Sequence, residues 1–448
     1  MPRLMRPFRG LLVFSLTLTA LAQVVPAQAV EMVPRRWLGA EGGFGEVACL
    51  TSGQGCLGLS SVTTFGGQAG SQKAGVAFRD GDLVERVWPS RTGYRYFRTS
   101  VPGGAPATAA LTTAGANEGS APPLTVSFGL RFNTLPLHPV VIYRQTGASL
   151  EQTVTLTLTP EGRIAVSGGG ATLFSSFLTT QSWHSLTVTY GGKKGGRLRF
   201  YVNDQPVLDA EMPFGGPSGP MELGIVSPVM SPFALGIDDL VEVPLYDQPI
   251  RKARINYLMP LGAVGQEEWT KTYPYEPCNE KAETWQLVSE DQKIFLPDPG
   301  DGSGTVSCEL EGSSILATEA DLEEKYHLEG IPSGHERSEK YHRDTTIQPD
   351  TDDRILGTRL RLGAYTDSPD PVAITLGLID QGEVRAQDFE VRSGSITSWT
   401  PTFATRGKAG AWTADALNGA KLLLNSGPAE GVARSVSVVR LDYVWVPS

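Results

Sequence analysis

Between residues 124 and 202, apolar side chains return at every second position. Leu124, Val126 and Phe128 share one parity, and Val154, Leu156 and Leu158 alternate with Thr153, Thr155, Thr157 and Thr159. Ile164 and Val166 follow a Glu161-Gly162 turn, Leu186, Val188 and Tyr190 continue the pattern, and Leu198, Phe200 and Val202 alternate with Arg197, Arg199 and Tyr201 before a tight Asn203-Asp204 turn. A period of two sends successive side chains to opposite faces of an extended chain, so each run reads as a strand with one buried face. No helical period separates the runs. Stacked sheets are then the way to bury those faces, which predicts an antiparallel β-sandwich.

The same period returns after residue 353. Leu360, Leu362 and Ala364 oppose Arg359 and Arg361, and Val372, Ile374, Leu376 and Leu378 share a face. In the last strand Val436 and Val438 have one parity and Leu441, Tyr443 and Trp445 the other, which requires a bulge near Val439. Residues 414–419 (ADALNG) read as one helical turn closed by Asn-Gly. Residues 251–258 are helix-compatible, 260–265 read as a linker, and TWQLV and KIFL within 284–296 as strands. A chain of 448 residues has room for two or three units. The expected fold class is all-β, with two antiparallel β-sandwiches: a segment with a Cys pair at 30–68, a jelly roll at 69–250, a linker at 251–268 and a second, jelly-roll-like sandwich at 269–448.

Residues 1–29 read as a signal peptide. Arg3, Arg6 and Arg9 precede an apolar run at 11–22, and Ala27-Gln28-Ala29 has the form of a cleavage site. The apolar run is short for a membrane span, and no later one approaches spanning length. An extracytoplasmic, secreted or periplasmic protein is expected. Its net charge of −10 disfavours nucleic acid and anionic membranes as partners.

Cysteine usage agrees with export. Cys49, Cys56, Cys278 and Cys308 form two local pairs, and local pairing is the simplest of three connectivities. A Cys278–Cys308 bridge is worth about 3 to 4 kcal/mol on a chain-entropy argument. Neither spacing is that of a zinc site.

Three motifs follow one another in order: WHSLTVTY (183–190), LRFYVNDQ (198–205) and LGIDDLVEV (235–243), closing with LYDQPI (245–250). In order and spacing they resemble the laminin-G-like, concanavalin-A-like jelly roll, over about residues 69–250. The resemblance implies a module that recognises glycans or extracellular proteins. Such modules often hold calcium, for which Asp80, Asp82, Asp238 and Asp239 are the candidate ligands, two on a turn and two on the closing strand. The second half resembles bacterial and phage surface sandwiches only loosely.

Catalysis is less visible. Glycoside hydrolysis on this fold needs two carboxylates about 5 to 9 Å apart. The groups Asp380/Glu383, Asp388/Glu390 and Asp350/Asp352/Asp353 fall on turns and read as solvated charge. His327, His335 and His342 lie among Glu323, Glu324, Glu329, Glu336 and Glu339, but H-x₇-H-x₆-H is not a zinc spacing. No G-x-S-x-G or phosphate loop is present. Sugar platforms on this fold are aromatic, and Tyr94, Tyr96, Phe97, Tyr143, Trp183 and Tyr201 are the aromatics available, many of them needed in the core. The reading is therefore a non-enzymatic binding, surface or assembly protein. Its alternatives are a polysaccharide-active hydrolase or lyase and a virion or filament structural protein.

Overall fold

Four antiparallel sheets stack in two pairs. The computed structural model describes residues 36–446 except 39–60, 74–77, 81–82, 86–94, 113–123, 148, 169–170, 192–195, 213–216, 218, 245–248, 251, 266–267, 273–282, 288–292, 298–304, 310–313, 318–321, 329–352, 400–402, 404–405 and 407–409. Among the described residues, the first sheet runs in the order β15 (Gln205–Met212), β14 (Gly196–Val202), β13 (His184–Tyr190), β8 (Leu124–Arg131), β17 (Phe233–Pro244), β6 (Arg95–Val101), β3 (Gln68–Lys73), with β1 (Arg36–Leu38) beside β17. Its partner runs β12 (Ala171–Phe177), β11 (Arg163–Gly168), β10 (Val154–Leu158), β9 (Val140–Gln145), β16 (Met221–Val229), β7 (Ala107–Thr112), β2 (Ser61–Phe65). The alternating apolar residues of the two meet in one core, which includes Val126, Phe128, Leu156, Leu186, Val188, Leu198, Phe200, Leu223 and Leu235.

The second sandwich pairs β20 (Thr270–Thr272), β23 (Ser314–Ala317), β30 (Arg434–Val446), β25 (Arg354–Thr366) and β28 (Gly394–Trp399), with β18 (Arg254–Leu258) also on β30, against β19 (Pro260–Ala263), β24 (Glu323–Leu328), β29 (Lys421–Asn425), β26 (Val372–Asp380) and β27 (Glu383–Val391). Leu360, Leu362, Ile374, Leu376, Leu422, Leu441, Tyr443 and Trp445 lie in its core. Two hairpins stand apart, β4 (Phe78–Asp80) with β5 (Leu83–Glu85) and β21 (Lys293–Pro297) with β22 (Thr305–Glu309).

The all-β expectation holds, and several local expectations change. Among the described residues of 251–268 there is no helix and no free linker: β18 pairs with β30 and β19 with β24. Burial decides this, because Ile255, Tyr257 and Leu258 have core to face. Within 30–68, β1 and β2 belong to the first sandwich. Thr284–Leu287 is a short helix, α1, in which the Gln286 side chain accepts the Glu283 N–H. The bulge in β30 falls at Ser437, since Gly363 pairs with Val438 and Ala364 with Val436. Ala414–Gly419 is the expected helical turn, α2, capped by the Thr413 hydroxyl. The Asn203-Asp204 turn has φ of 49° and 68°, the mirror-image turn that suits the twist of a hairpin.

By contacts residues 32–448 form one compact unit. The two sandwiches meet through a small apolar cluster: Trp37, Val241, Val243, Ile250, Ala253 and Ile255 against Leu356 and Val444.

Candidate functional site

A bulge in β17 separates the core from two functional-looking surfaces. Asp238 pairs with Gly129 and Val241 with Ser127, so β17 has one residue more than β8 between those pairs. Before the bulge, Leu235 and Ile237 point into the core; after it, Leu240 does, while Val241 and Val243 face the second sandwich. A one-residue slip reverses the facing of every later side chain. Glu242 consequently falls on the interior side and is buried. Its charge acts on Tyr143 and Tyr190, whose hydroxyls lie 2.8 Å apart. Burial is the main force raising both phenols well above their ordinary range, so they stay neutral.

Asp238 and Asp239 serve this bulge. Asp238 Oδ1 accepts the Asp239 N–H at 2.9 Å, and Asp239 adopts a left-handed φ of 50°, a conformation that Asp tolerates better than most residues. Fully buried, Asp239 accepts the Ile255 N–H at 2.8 Å through Oδ1 and lies 3.5 Å from Arg254 through Oδ2. Asp239 thus ties the first sandwich to β18. Of the other calcium candidates, Asp80 ends β4 opposite Leu83, and Asp82 lies outside the described residues. Among the described residues no group of three or more His, Cys, Asp or Glu is placed to hold a metal. Cys49, Cys56 and Cys278 and the 1–29 segment also lie outside them; Cys308 is in β22, opposite Ile294, with its side chain outside the description.

The outer face of the eight-stranded sheet is polar. On β8, β13 and β6 the residues alternating with the core are Thr125, Ser127 and Arg131; Ser185, Thr187 and Thr189; and Tyr96, Arg98 and Ser100, all buried. Thr187 donates to Ser127 at 3.1 Å, and Arg98 Nη1 to Ser100 at 2.7 Å. Gly236 on β17 is in register with Arg98 on one side and Arg131 on the other. Two arginines therefore flank a residue with no side chain, about 10 Å apart at their Cα atoms. Trp183 is half-buried, packs on Ala234 and Tyr96, and meets the Tyr96 ring edge-on at 6.0 Å. Ala234 and Tyr96 lie on opposite sides of the Arg98–Gly236–Arg131 row. Towards β14 and β15 the face opens: Arg199 and Tyr201 are half-buried and Asp209, paired with Arg197, is exposed.

Other candidates read as structure. His184 Nε2 lies 2.8 Å from the Thr179 carbonyl, its ring packs by Phe132, and burial lowers its pKa. Asp380 takes both of its hydrogen bonds from Arg406, each at 2.8 Å; Asp388 accepts from Thr375, and Glu383 and Glu390 pair with Arg385 and Arg392. Of the histidine group, His327 is exposed on β24, while His335 and His342 lie outside the described residues. One alternate-carboxylate stretch escapes a reading by turns: Glu319, Asp321 and Glu323. Glu323 opens β24, is exposed and pairs with Lys325; Glu319 and Asp321 are outside the described residues.

No family model matches the chain, nor does any curated protein. Solved structures with a similar arrangement include the endo-β-1,4-glucuronan lyase of the fungus Trichoderma reesei (6% identity, 40% of this chain and 87% of that one, TM-score 0.28). Two others are the carbohydrate esterase vb_24B_21 of bacteriophage phi24B (12%, 48% and 100%, 0.33) and domain 4 of the arabinanase AbnA of Geobacillus stearothermophilus (13%, 48% and 93%, 0.31). Likeness at this level assigns no activity to this chain. Among the described residues no helix is long and apolar enough to cross a membrane.

Proposed function

We propose that this is an exported polysaccharide-binding protein whose site lies on the outer face of the eight-stranded sheet, from the half-buried Trp183 towards the open β14–β15 side with Arg199 and Tyr201, and that its ligand is anionic. The observation that carries this reading is the half-buried Trp183, edge-on to Tyr96, on a sheet face whose neighbouring strands carry Arg98 and Arg131 in register with Gly236. An indole face packs against the C–H face of a sugar ring, and guanidinium forks match carboxylates in two parallel hydrogen bonds. Hydroxyl rows on the neighbouring strands supply further donors and acceptors. The more open β14–β15 side gives a chain-like ligand its way in.

Titration calorimetry on the full chain tests the proposal, with polygalacturonate and alginate fragments as probes and a neutral β-glucan as comparator. Saturable binding of the anionic probes is expected, weaker at higher salt. Arg131→Gln should weaken it at least tenfold, or ~1.4 kcal/mol. Equal binding of the neutral glucan, or no effect of the substitution, contradicts the reading.

A second reading, a polysaccharide-cleaving enzyme, is favoured by the Glu319, Asp321, Glu323 spacing. It predicts release of reducing ends or unsaturated products that Glu323→Gln abolishes. Binding without any product decides for the first.

A further inference from the structure

β1 has three residues, yet Trp37 at its centre is only 1% exposed. Its backbone pairs with Leu240, Val241 and Glu242. This is the stretch of β17 that β6 leaves uncovered, because β6 pairs only as far as Ile237 and the bulge then turns the strand. The Trp37 side chain reaches across to the second sandwich, where the Arg359 guanidinium sits 4.2 Å from its ring centre. Val241, Val243, Ile250, Ala253 and Ile255 enclose it from one side and Leu356 and Val444 from the other.

The receiving surface is braced by contacts that β1 does not make. Arg359 donates to Asp442 Oδ2 through Nε and Nη2, at 3.3 and 3.2 Å, and Asp442 Oδ1 also accepts from Arg440 Nε at 2.6 Å. Arg440 in turn lies over the Tyr257 ring, 5.0 Å from its centre. The cation that meets the indole is thus held by β25, β30 and β18, whether or not β1 is in place. Three ladder pairs are too few to hold a strand unaided. The anchor is Trp37, whose ring combines apolar burial with a cation–π contact.

We propose that the free edge of β17 and the outer face of the β25–β30 sheet form a strand-acceptor slot, and that β1 occupies it as a detachable clasp which couples the two sandwiches.

Scanning calorimetry of the full chain tests this. The unsubstituted protein is expected to melt in one transition, and Trp37→Ala in two separate transitions. A synthetic peptide of residues 33–41, VPRRWLGAE, added in excess to Trp37→Ala should bind saturably and restore the single transition, whereas the same peptide with Ala in place of Trp should not. If Trp37→Ala does not fold, Trp37→Phe is measured by the same criteria. A single transition in the substituted chain, whatever its temperature, means that Trp37 only adds stability and overturns the coupling. Failure of the peptide to bind a chain that shows two transitions overturns the detachable clasp.

Discussion

Asp239 combines a backbone that few side chains tolerate with a carboxylate wholly used at the junction. Asp239→Ala leaves the Ile255 N–H without its acceptor and should cost about 2 to 3 kcal/mol. Asp239→Asn keeps that acceptor but loses the attraction to the half-buried Arg254, and should cost less than Asp239→Ala. Urea denaturation of the two variants checks the order. Asp442 makes a pH prediction. Its burial acts to raise the carboxyl pKa, but Arg440 and Arg359 outweigh this and hold it below the usual range. A carboxylate with a depressed native pKa stabilises the fold fully above its unfolded pKa of about 3.9, and that contribution disappears as pH falls through the native value. Stability measured from pH 5 downward should therefore fall less steeply in Asp442→Asn than in the unsubstituted chain. At this scale the sequence singles out the Asp238-Asp239 pair, and the structure adds the left-handed Asp239 and its bond to Ile255, sixteen residues on. Trp183 and Tyr96 were identifiable as aromatics, but what makes them a candidate platform is that they meet on the sheet face that also carries Ala234, Gly236, Arg98 and Arg131.

Among the elements, strands with long alternation were legible because burial on one face leaves its mark every second residue. The exceptions have physical causes. β1 is too short to show a period. β18 carries Ile255 and Tyr257 at alternate positions, but its flanks permit a helix equally well. The bulge in β17 had a signal: Leu235 and Ile237 share one parity, while apolar residues fall on both parities at Leu240, Val241 and Val243. Deleting Asp239 should remove the bulge while keeping Leu240 and Glu242 inward and Val241 and Val243 outward, and, because the Ile255 N–H loses its acceptor, cost about 2 to 3 kcal/mol. Soluble yield and the denaturation midpoint report this. Gly236→Leu is the opposite kind of change. It places a side chain between Arg98 and Arg131, with which Gly236 is in register, and should abolish binding of polygalacturonate at a stability cost of about 1 to 3 kcal/mol.

For the whole molecule, sequence periodicity gives two sandwiches but is silent on how they are joined. Their junction depends on single residues far apart in the chain: Trp37, Asp239, Ile255, Leu356, Arg359 and Val444. The proposed binding face belongs to the first sandwich, and the bulge that ends it also begins the junction. Its most direct test is the tryptophan fluorescence of the full chain titrated with polygalacturonate fragments. The account predicts a saturable change that is lost in Trp183→Phe and shifted to at least tenfold higher ligand concentration in Arg131→Gln. A change that persists undiminished in Trp183→Phe, or none in the unsubstituted chain, contradicts it.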